Sequence, residues 1–189
     1  MKSRFNILEV RTPADLPALT ELFRAYAASL PIDLGYQGFD GELAALPGQY
    51  APPAGALLIA RDANGATLGC VAMRPLLASP QGEGVAQSAT DLRRAEAASA
   101  AQACGAATPA CEMKRLYVAP EGRGAGVGKA LVQAIIETAR ARGYSELCLD
   151  TLPTMTEAQA LYKSLGFTEM AAYYATPIEG TVFMSLKLR

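Results

Sequence analysis

The residues best placed to hold an anion lie in one glycine-rich stretch, GRGAGVGK, at 122–129. An apolar run precedes it and an amphipathic helical pattern follows it at once. Backbone N–H groups at a helix start attract anions, and glycines let a phosphate approach the backbone without meeting Cβ atoms. The stretch lacks the GK[ST] of a P-loop and the GxGxxG of a dinucleotide fold. It therefore predicts a site for a different pyrophosphate, and a turn that binds no ligand is the alternative.

Histidine is absent from the 189 residues. This excludes Ser-His-Asp and Cys-His triads and removes the commonest zinc ligand, so any catalysis must use carboxylates, tyrosines, thiols or backbone groups. Four cysteines, Cys70, Cys104, Cys111 and Cys148, show no CxxC spacing. Without a histidine to lower their pKa, we expect inert, buried thiols. The N-terminal sequence has neither a signal-peptide pattern nor a membrane-spanning length, so we expect a reduced, cytoplasmic protein.

Charge is nearly balanced, with 17 basic and 18 acidic residues and a formal net charge of -1. The basic residues are scattered, which gives no electrostatic footprint for nucleic acid or a membrane surface. With 51% of residues apolar, the chain can bury the core of one domain spanning residues 1–189. We expect small-molecule partners and leave a homodimer open.

Periodicity predicts the order β-α-α-β-β-β-α-β-α-β, an α/β domain on a mixed sheet. Strands at 112–119 and 146–150 flank the glycine stretch and are predicted to run parallel, because a helix at 123–142 connects them. Strands at 56–62 and 67–77 are joined by a hairpin turn that contains Asn64-Gly65. The other elements are strands at 5–11 and 181–188, a helix from Leu16, and helices at 42–46 and 154–165. Residues 79–110, rich in alanine, are predicted to be a loosely docked insertion.

Two motifs resemble those of the GNAT superfamily, the Gcn5-related N-acetyltransferases. The run LYVAPEGRGAGVGKAL is similar to the family's acetyl-CoA signature R/Q-x-x-G-x-G/A, with Arg123, Gly126 and Gly128 in the named positions. The run EAQALYKSLGF at 157–167 resembles the A-x-x-LY-x-x-x-GF helix. They occur in the family's order and spacing, and the resemblance covers nearly the whole chain apart from the predicted insertion. The blocks KRLYV, LDTLPTM and GTVFM are similar to those of bacterial members of unassigned substrate.

The resemblance implies a GNAT fold, a mixed and mostly antiparallel sheet flanked by helices and splayed between the fourth and fifth strands. Acetyl-CoA, the implied cosubstrate, would lie in the splay, at strand ends where ligands commonly bind. The backbone of Leu116, Tyr117 and Val118 would pair with the pantetheine amides. The pyrophosphate would lie on Arg123, Gly124, Ala125, Gly126, Val127, Gly128 and Lys129. No metal is implied. Met155 stands where many members carry Asn, so one side-chain hydrogen bond to the pantetheine is predicted to be missing.

The resemblance also implies direct transfer of acetyl from the thioester to a primary amine. This needs an unprotonated amine, a place for the tetrahedral oxyanion and a proton for the thiolate. Glu112 is the candidate base, and Tyr162, whose hydroxyl would reach the CoA sulfur, is the candidate acid. Glu112 could instead only mark a strand edge or pair with Lys114, with Asp150 or an ordered water as base, and Tyr162 could be a packed core residue.

Aromatic side chains are expected on the acceptor side, namely Tyr26, Tyr36, Phe39, Tyr173 and Tyr174. Such walls suit a small amine with an apolar body, and Glu112 would supply one negative charge. A protein tail usually calls for an acidic groove, and the sequence shows no acidic run. A non-catalytic acyl-CoA sensor, a protein or peptide acceptor, and an acyl chain longer than acetyl stay open as alternatives.

Overall fold

The computed structural model describes residues 5–76 and 109–188. Its strands are β1 (Phe5–Glu9), β2 (Ala56–Asp62), β3 (Thr67–Leu76), β4 (Ala110–Val118), β5 (Glu146–Thr151), β6 (Thr168–Glu169) and β7 (Val182–Lys187). Its α-helices are α1 (Leu16–Ser29), α2 (Phe39–Ala44), α3 (Val127–Ala141) and α4 (Thr156–Ser164). The strands form one sheet in the order β1-β2-β3-β4-β5-β7-β6. None of the described helices is long and apolar enough to cross a membrane.

Both faces of the sheet are covered, which explains the unbroken apolar run of β2. Leu58 of β2 belongs to the core beneath α3 and α4, which includes Leu131 and Tyr162. Its neighbour Leu57 belongs to the core beneath α1 and α2, which includes Phe23. Because successive strand residues point to opposite faces, a strand covered on both sides is apolar throughout.

The hairpin between β2 and β3 is confirmed at the predicted position. Asp62 closes the turn, because its Oδ1 accepts hydrogen bonds from the backbone N–H groups of Asn64 at 2.8 Å and Ala66 at 2.9 Å. Gly65 has φ 87°, a value that glycine adopts readily.

The predicted splay between the fourth and fifth strands is also confirmed. Strands β4 and β5 run parallel, and their described pairing consists of Ala110 with Glu146, Cys111 with Leu147, and Glu112 with Cys148. Both strands continue beyond this pairing, to Val118 and Thr151. A cleft therefore opens towards the ends of the two strands. All other pairs among the described strands are antiparallel.

Several predicted bounds were wrong. Helix α3 begins at Val127, four residues later than predicted, because Gly124 and Gly126 have φ of 71° and 81° and hold the preceding residues in a turn. Ala110 belongs to β4 and not to the predicted insertion. Most of that insertion, at 79–108, lies outside the described residues. The two-residue strand β6 was not predicted, since so short a segment has no period.

Smaller differences concern strand and helix ends. Strand β1 ends at Glu9, and β7 and α4 are each shorter than predicted by one residue or more at both ends. Helix α2 begins before the predicted 42 and ends before 46. Cys70, Cys111 and Cys148 are free and buried, as predicted, and Cys104 lies outside the described residues.

Candidate active site

Strand β4 carries a bulge at the edge of the cleft. Cys70 of β3 lies opposite Tyr117, whereas Ala72 lies opposite Lys114, so the two residues Arg115 and Leu116 share one partner position. Arg115 has φ 57°, in the left-handed region. A bulge interrupts the backbone ladder and bends the strand.

A cavity lies where β4 and β5 have separated. Strand β4 contributes Met113, Lys114, Arg115 and Leu116, and β5 contributes Leu149, Asp150 and Thr151. The remaining lining residues are Tyr26, Leu30, Ile32, Leu34, Tyr36, Gln37, Leu152, Met155 and Tyr162. The predicted acid Tyr162 and the second candidate base Asp150 therefore share one cavity, and Glu112 is outside its lining.

Glu112 lies below the cleft and is 1% exposed. Tyr173 donates its hydroxyl to Oε1 at 2.7 Å, and Arg74 donates Nε–H to Oε2 at 2.7 Å. The Nζ of Lys114 lies 3.3 Å from Oε1, so the predicted alternative of a pair with Lys114 is present. Burial alone would raise the pKa of Glu112, but the charges of Lys114 and Arg74 and the Tyr173 hydroxyl outweigh it and lower this pKa. Glu112 is held as a carboxylate.

Asp150 is connected to Glu112 through the same lysine. The Nζ of Lys114 donates to Oδ1 of Asp150 at 2.6 Å and lies 5.5 Å from the ring centroid of Tyr174. The side chains of Lys114 and Asp150 are 8% and 15% exposed. One buried ammonium thus neutralises part of the charge of two carboxylates, of which Asp150 lines the cavity.

Tyr162 projects from α4 and is buried, with its ring centroid 5.8 Å from that of Phe167. Burial is the largest cause that raises its pKa, and the nearby Tyr26 phenol and Asp150 carboxylate add to it. The hydroxyl therefore keeps its proton at neutral pH.

Thr151 has a buried hydroxyl that lacks a hydrogen-bond partner within the described part of the chain. Along β5 it alternates with Asp150 and shares the face of Leu149, which packs in the same core as Tyr162. Leaving a buried hydroxyl without a hydrogen-bond partner costs free energy. A polar group of a ligand in the cavity could therefore gain by forming a hydrogen bond with Thr151.

The glycine turn before α3 is exposed from Arg123 to Gly126. Gly126 caps the helix in the left-handed conformation and its carbonyl accepts from the N–H of Ala130 at 3.1 Å. A Cβ on Gly124 or Gly126 would meet no atom within 4 Å, so the backbone angle and not crowding requires glycine there. The first N–H groups of a helix have no partner inside it, so this turn presents donors to solvent.

The predicted aromatics divide into three groups. Tyr26 and Tyr36 line the cavity. Phe39 is buried, with its ring centroid 5.3 Å from Cζ of Arg115. Tyr173 and Tyr174 pack against Phe183, with ring centroids 5.1 and 5.2 Å away.

Three ionic partners in the site were not identified from the sequence, namely Arg74, Arg115 and Glu42. Arg74 is 38 residues from Glu112, and Arg115 is 73 residues from Glu42. Partners that are so far apart in the sequence produce no periodic pattern from which their pairing could be predicted. The pair of Glu112 and Lys114 could be predicted, because residues two positions apart on a strand lie on the same face of the sheet.

Comparison with sequences of known proteins gives one family. A model described as the acetyltransferase (GNAT) family matches residues 19–167. An uncharacterized N-acetyltransferase of Schizosaccharomyces pombe is 38% identical over 186 residues, covering 98% of this chain and 96% of that protein. The uncharacterized N-acetyltransferase YjgM of Escherichia coli is 28% identical over 158 residues, covering 82% and 78%.

Solved structures show the same fold. An acetyltransferase of the GNAT family from Staphylococcus aureus superposes with a TM-score of 0.68 at 16% identity, covering 98% of this chain and 99% of that one. The yncA protein of Salmonella typhimurium, solved with its cofactor acetyl-CoA, gives 0.63 at 20% identity, covering 98% and 95%. At these identities the likeness concerns the fold alone.

Proposed function

Because the chain belongs to the GNAT family of N-acetyltransferases, we propose that it transfers an acetyl group from acetyl-CoA to the primary amine of a small molecule. One observation carries the proposal. The cavity between the separated strands β4 and β5 has a carboxylate, Asp150, and a protonated phenol, Tyr162, in the same lining. These are the two groups that amine acylation requires, one to accept a proton and one to donate it.

The proposed acetyl-CoA site runs along the cleft. Backbone groups of Leu116, Tyr117 and Val118 would pair with the pantetheine amides beside the bulge. The exposed turn would hold the pyrophosphate, through the residues Arg123, Gly124, Ala125, Gly126, Val127, Gly128 and Lys129. Thr151 fits this arrangement, because it lines the same cavity as Met155 and its buried hydroxyl has no hydrogen-bond partner among the described residues. That hydroxyl would supply the pantetheine hydrogen bond that Met155 cannot make.

For the base, we propose Asp150 before Glu112, the reverse of the order predicted from sequence. Glu112 has donors on both oxygens and a lowered pKa, so it has little tendency to take another proton. Asp150 lines the cavity, where an amine can contact it directly or through one water. Glu112 would then fix Lys114 and Tyr173 and so determine the orientation of Asp150.

The proposed transfer uses these groups in sequence. Asp150 accepts the proton of the amine as its nitrogen bonds to the acetyl carbonyl carbon. The tetrahedral oxyanion collapses, the carbon–sulfur bond breaks, and Tyr162 donates its proton to the departing thiolate. The products are the N-acetylated amine and free CoA. Asp150 then releases its proton to solvent, and solvent returns a proton to Tyr162.

The acceptor is proposed to be a small amine with an apolar body. Tyr26, Tyr36 and the three apolar residues Leu30, Ile32 and Leu34 line the acceptor side of the cavity. The described cations that line it, Lys114 and Arg115, are already paired with carboxylates. An ammonium group is thus favoured over an acidic one beside Asp150.

Four further properties stay predictions. These are a cytoplasmic location, a bacterial origin, a homodimer, and a single domain with an insertion at about 79–110. The two relatives described above come from a yeast and from a bacterium, so they do not select between sources.

The test is release of CoA thiol from acetyl-CoA with a panel of arylalkyl amines, aliphatic amines, polyamines, amino acids and short peptides. We expect arylalkyl or branched aliphatic amines to accelerate thiol release and to gain one acetyl group by mass spectrometry. Turnover of peptides alone would show a protein acceptor. Binding of acetyl-CoA without turnover of any amine would show a sensor. Longer acyl-CoAs with the best amine would define the acyl preference.

A further inference from the structure

A buried ion pair connects α2 with the bulge of β4. Arg115 donates Nε–H to Oε1 of Glu42 at 2.9 Å and Nη2–H to Oε2 at 2.6 Å. The two side chains are 3% and 7% exposed. This two-point contact fixes both the distance and the plane of the guanidinium, as a single contact could not.

Gln37 and two aromatic rings also hold the guanidinium in place, and Tyr50 contacts the carboxylate. Gln37 accepts from Nη1 at 2.9 Å, and the ring centroids of Phe39 and Tyr26 lie 5.3 and 5.9 Å from Cζ. Tyr50 donates its hydroxyl to Oε1 of Glu42 at 3.0 Å. Arg115 is therefore a fixed anchor for the backbone that carries it.

That backbone has an unfavourable conformation. Arg115 has φ 57°, which a residue with a Cβ adopts reluctantly, and such residues persist where their surroundings enforce them. The Sγ–H of Cys70 donates to the carbonyl of Arg115 at 3.5 Å. Arg115 and Leu116 form the bulge and both line the cavity. The conformation of this one residue thus shapes the wall of the cleft.

We propose that Glu42 is a positioning residue for acetyl transfer, which acts by holding Arg115 and the β4 bulge in the left-handed conformation. The inference rests on the proposed function and extends it, because Glu42 is outside the cavity lining and lies on α2. Its contact with Arg115 couples the acceptor-side helix to the strand that would carry the thioester.

Two double variants separate this role from a merely structural one. Glu42→Gln/Arg115→Ala and Glu42→Gln/Arg115→Gly both remove the ion pair and leave no unpaired buried charge. They differ in that glycine adopts positive φ readily and alanine does not. If the ion pair acts through the backbone conformation of residue 115, the variant with glycine there should keep the activity that the variant with alanine loses.

We expect the alanine variant to lose about tenfold or more in kcat, because a displacement of the reacting groups by about 1 Å can cost about 10²-fold. The glycine variant should recover most of that loss. Affinity for acetyl-CoA, measured by calorimetry without any acceptor, should follow the same order. Tyr50→Phe is the control: it removes a hydrogen bond from the same carboxylate but leaves the Arg115 contact, so it should lower Tm and leave kcat near wild type.

Equal kcat and equal acetyl-CoA affinity in the alanine and glycine variants would overturn the proposal, whether both are active or both impaired. If the double variants do not fold, Glu42→Asp shortens the reach to Arg115 while keeping the charge, and wild-type kcat in that variant would overturn the proposal as well. If the wild type turns over no amine, the proposed function fails, and the acetyl-CoA affinities still decide the role of Glu42.

Discussion

The ammonium of Lys114 lies 2.6 Å from Oδ1 of Asp150, across the opening between β4 and β5. The described backbone pairing of the two strands ends two residues earlier, at Glu112 and Cys148. A side-chain ion pair therefore joins the strands where backbone hydrogen bonds no longer do. Because Lys114 also lies 3.3 Å from Glu112, both carboxylates depend on one cation.

Glu112→Gln is expected to destabilise the fold at pH 7, by about 3 kcal/mol, because Arg74 loses its buried anion and Lys114 keeps only Asp150. The pKa of Glu112 is lower in the folded protein than in the unfolded chain. Its ionised form thus stabilises the fold above about pH 4.3, the unfolded value. This contribution is lost as pH falls through the folded pKa.

Urea denaturation of wild type and Glu112→Gln at pH 7 and below pH 4 measures this effect. Glu137→Gln, which alters the exposed pair with Arg140, is the control and should change little at either pH. A difference between wild type and Glu112→Gln that is equal at both pH values would contradict the assignment.

Tyr162→Phe is expected to lower kcat by about 10²-fold, the loss typical of a missing general acid. The loss should persist at high pH, because alkali supplies no proton to the thiolate. Tyr144→Phe is the matched control, since its hydroxyl donates to the carbonyl of Ala54 at 2.9 Å and Tyr144 does not line the cleft. It should lower Tm and keep kcat. Steady-state measurement of kcat for both variants at several pH values tests this prediction. A wild-type kcat in Tyr162→Phe would show that Tyr162 contributes packing only.

Gly128→Val is expected to weaken acetyl-CoA binding by about tenfold, or about 1.4 kcal/mol. A Cβ there would lie 3.4 Å from Cγ2 of Val118, which the fold tolerates, but a larger side chain would fill the space beside the helix start. Gly126 is less suitable, because its φ of 81° strains any side chain.

Gly41→Ala is the control for that experiment, since a Cβ there meets no atom within 4 Å and α2 gains a better helix former. Calorimetry with acetyl-CoA should give wild-type affinity for this variant. Equal affinities in Gly128→Val and wild type would place the pyrophosphate elsewhere.

Replacement of residues 86–108 by a short Gly-Ser linker is expected to leave a cooperative melt near that of the full chain. Residues 86–108 are rich in alanine and contain few large apolar residues that a core could bury. The replacement stops before Pro109, whose carbonyl accepts from the N–H of Ser145 at 2.9 Å. Calorimetric melting tests it, and loss of soluble protein would show that the segment belongs to the core.

The sequence predicted the elements whose signal is local. Strand β2 has its predicted bounds, because an apolar run followed by the turn sequence Asn64-Gly65 is sufficient to predict where a strand begins and ends. The start of α3 was predicted too early, because the helical pattern in the sequence continues through Gly124 and Gly126. In the structure, the backbone angles of these two glycines form a turn before the helix.

The charged part of the site could not be predicted in the same way. The chain of contacts from Arg74 through Glu112 and Lys114 to Asp150 joins three strands, and which partners meet depends on register. The left-handed conformation of Arg115 also has no local signal, because nothing in KRLYV requires a bulge. The sequence identified candidate reacting groups, and tertiary packing determines which of the two carboxylates lines the cleft.

The most direct test of the account compares kcat/KM of Asp150→Asn and Glu112→Gln with the best amine from pH 6 to about pH 9.5, a range that spans the relevant thiol and amine pKa values. We predict that Asp150→Asn loses about 10²-fold or more at neutral pH and recovers part of it at high pH, as more amine becomes unprotonated. Glu112→Gln, normalised to folded protein, should lose less than about 10²-fold, the smallest loss expected when a general base is removed. The reverse order of losses, with recovery at high pH in Glu112→Gln and near wild-type rates in Asp150→Asn, would contradict the account and make Glu112 the base.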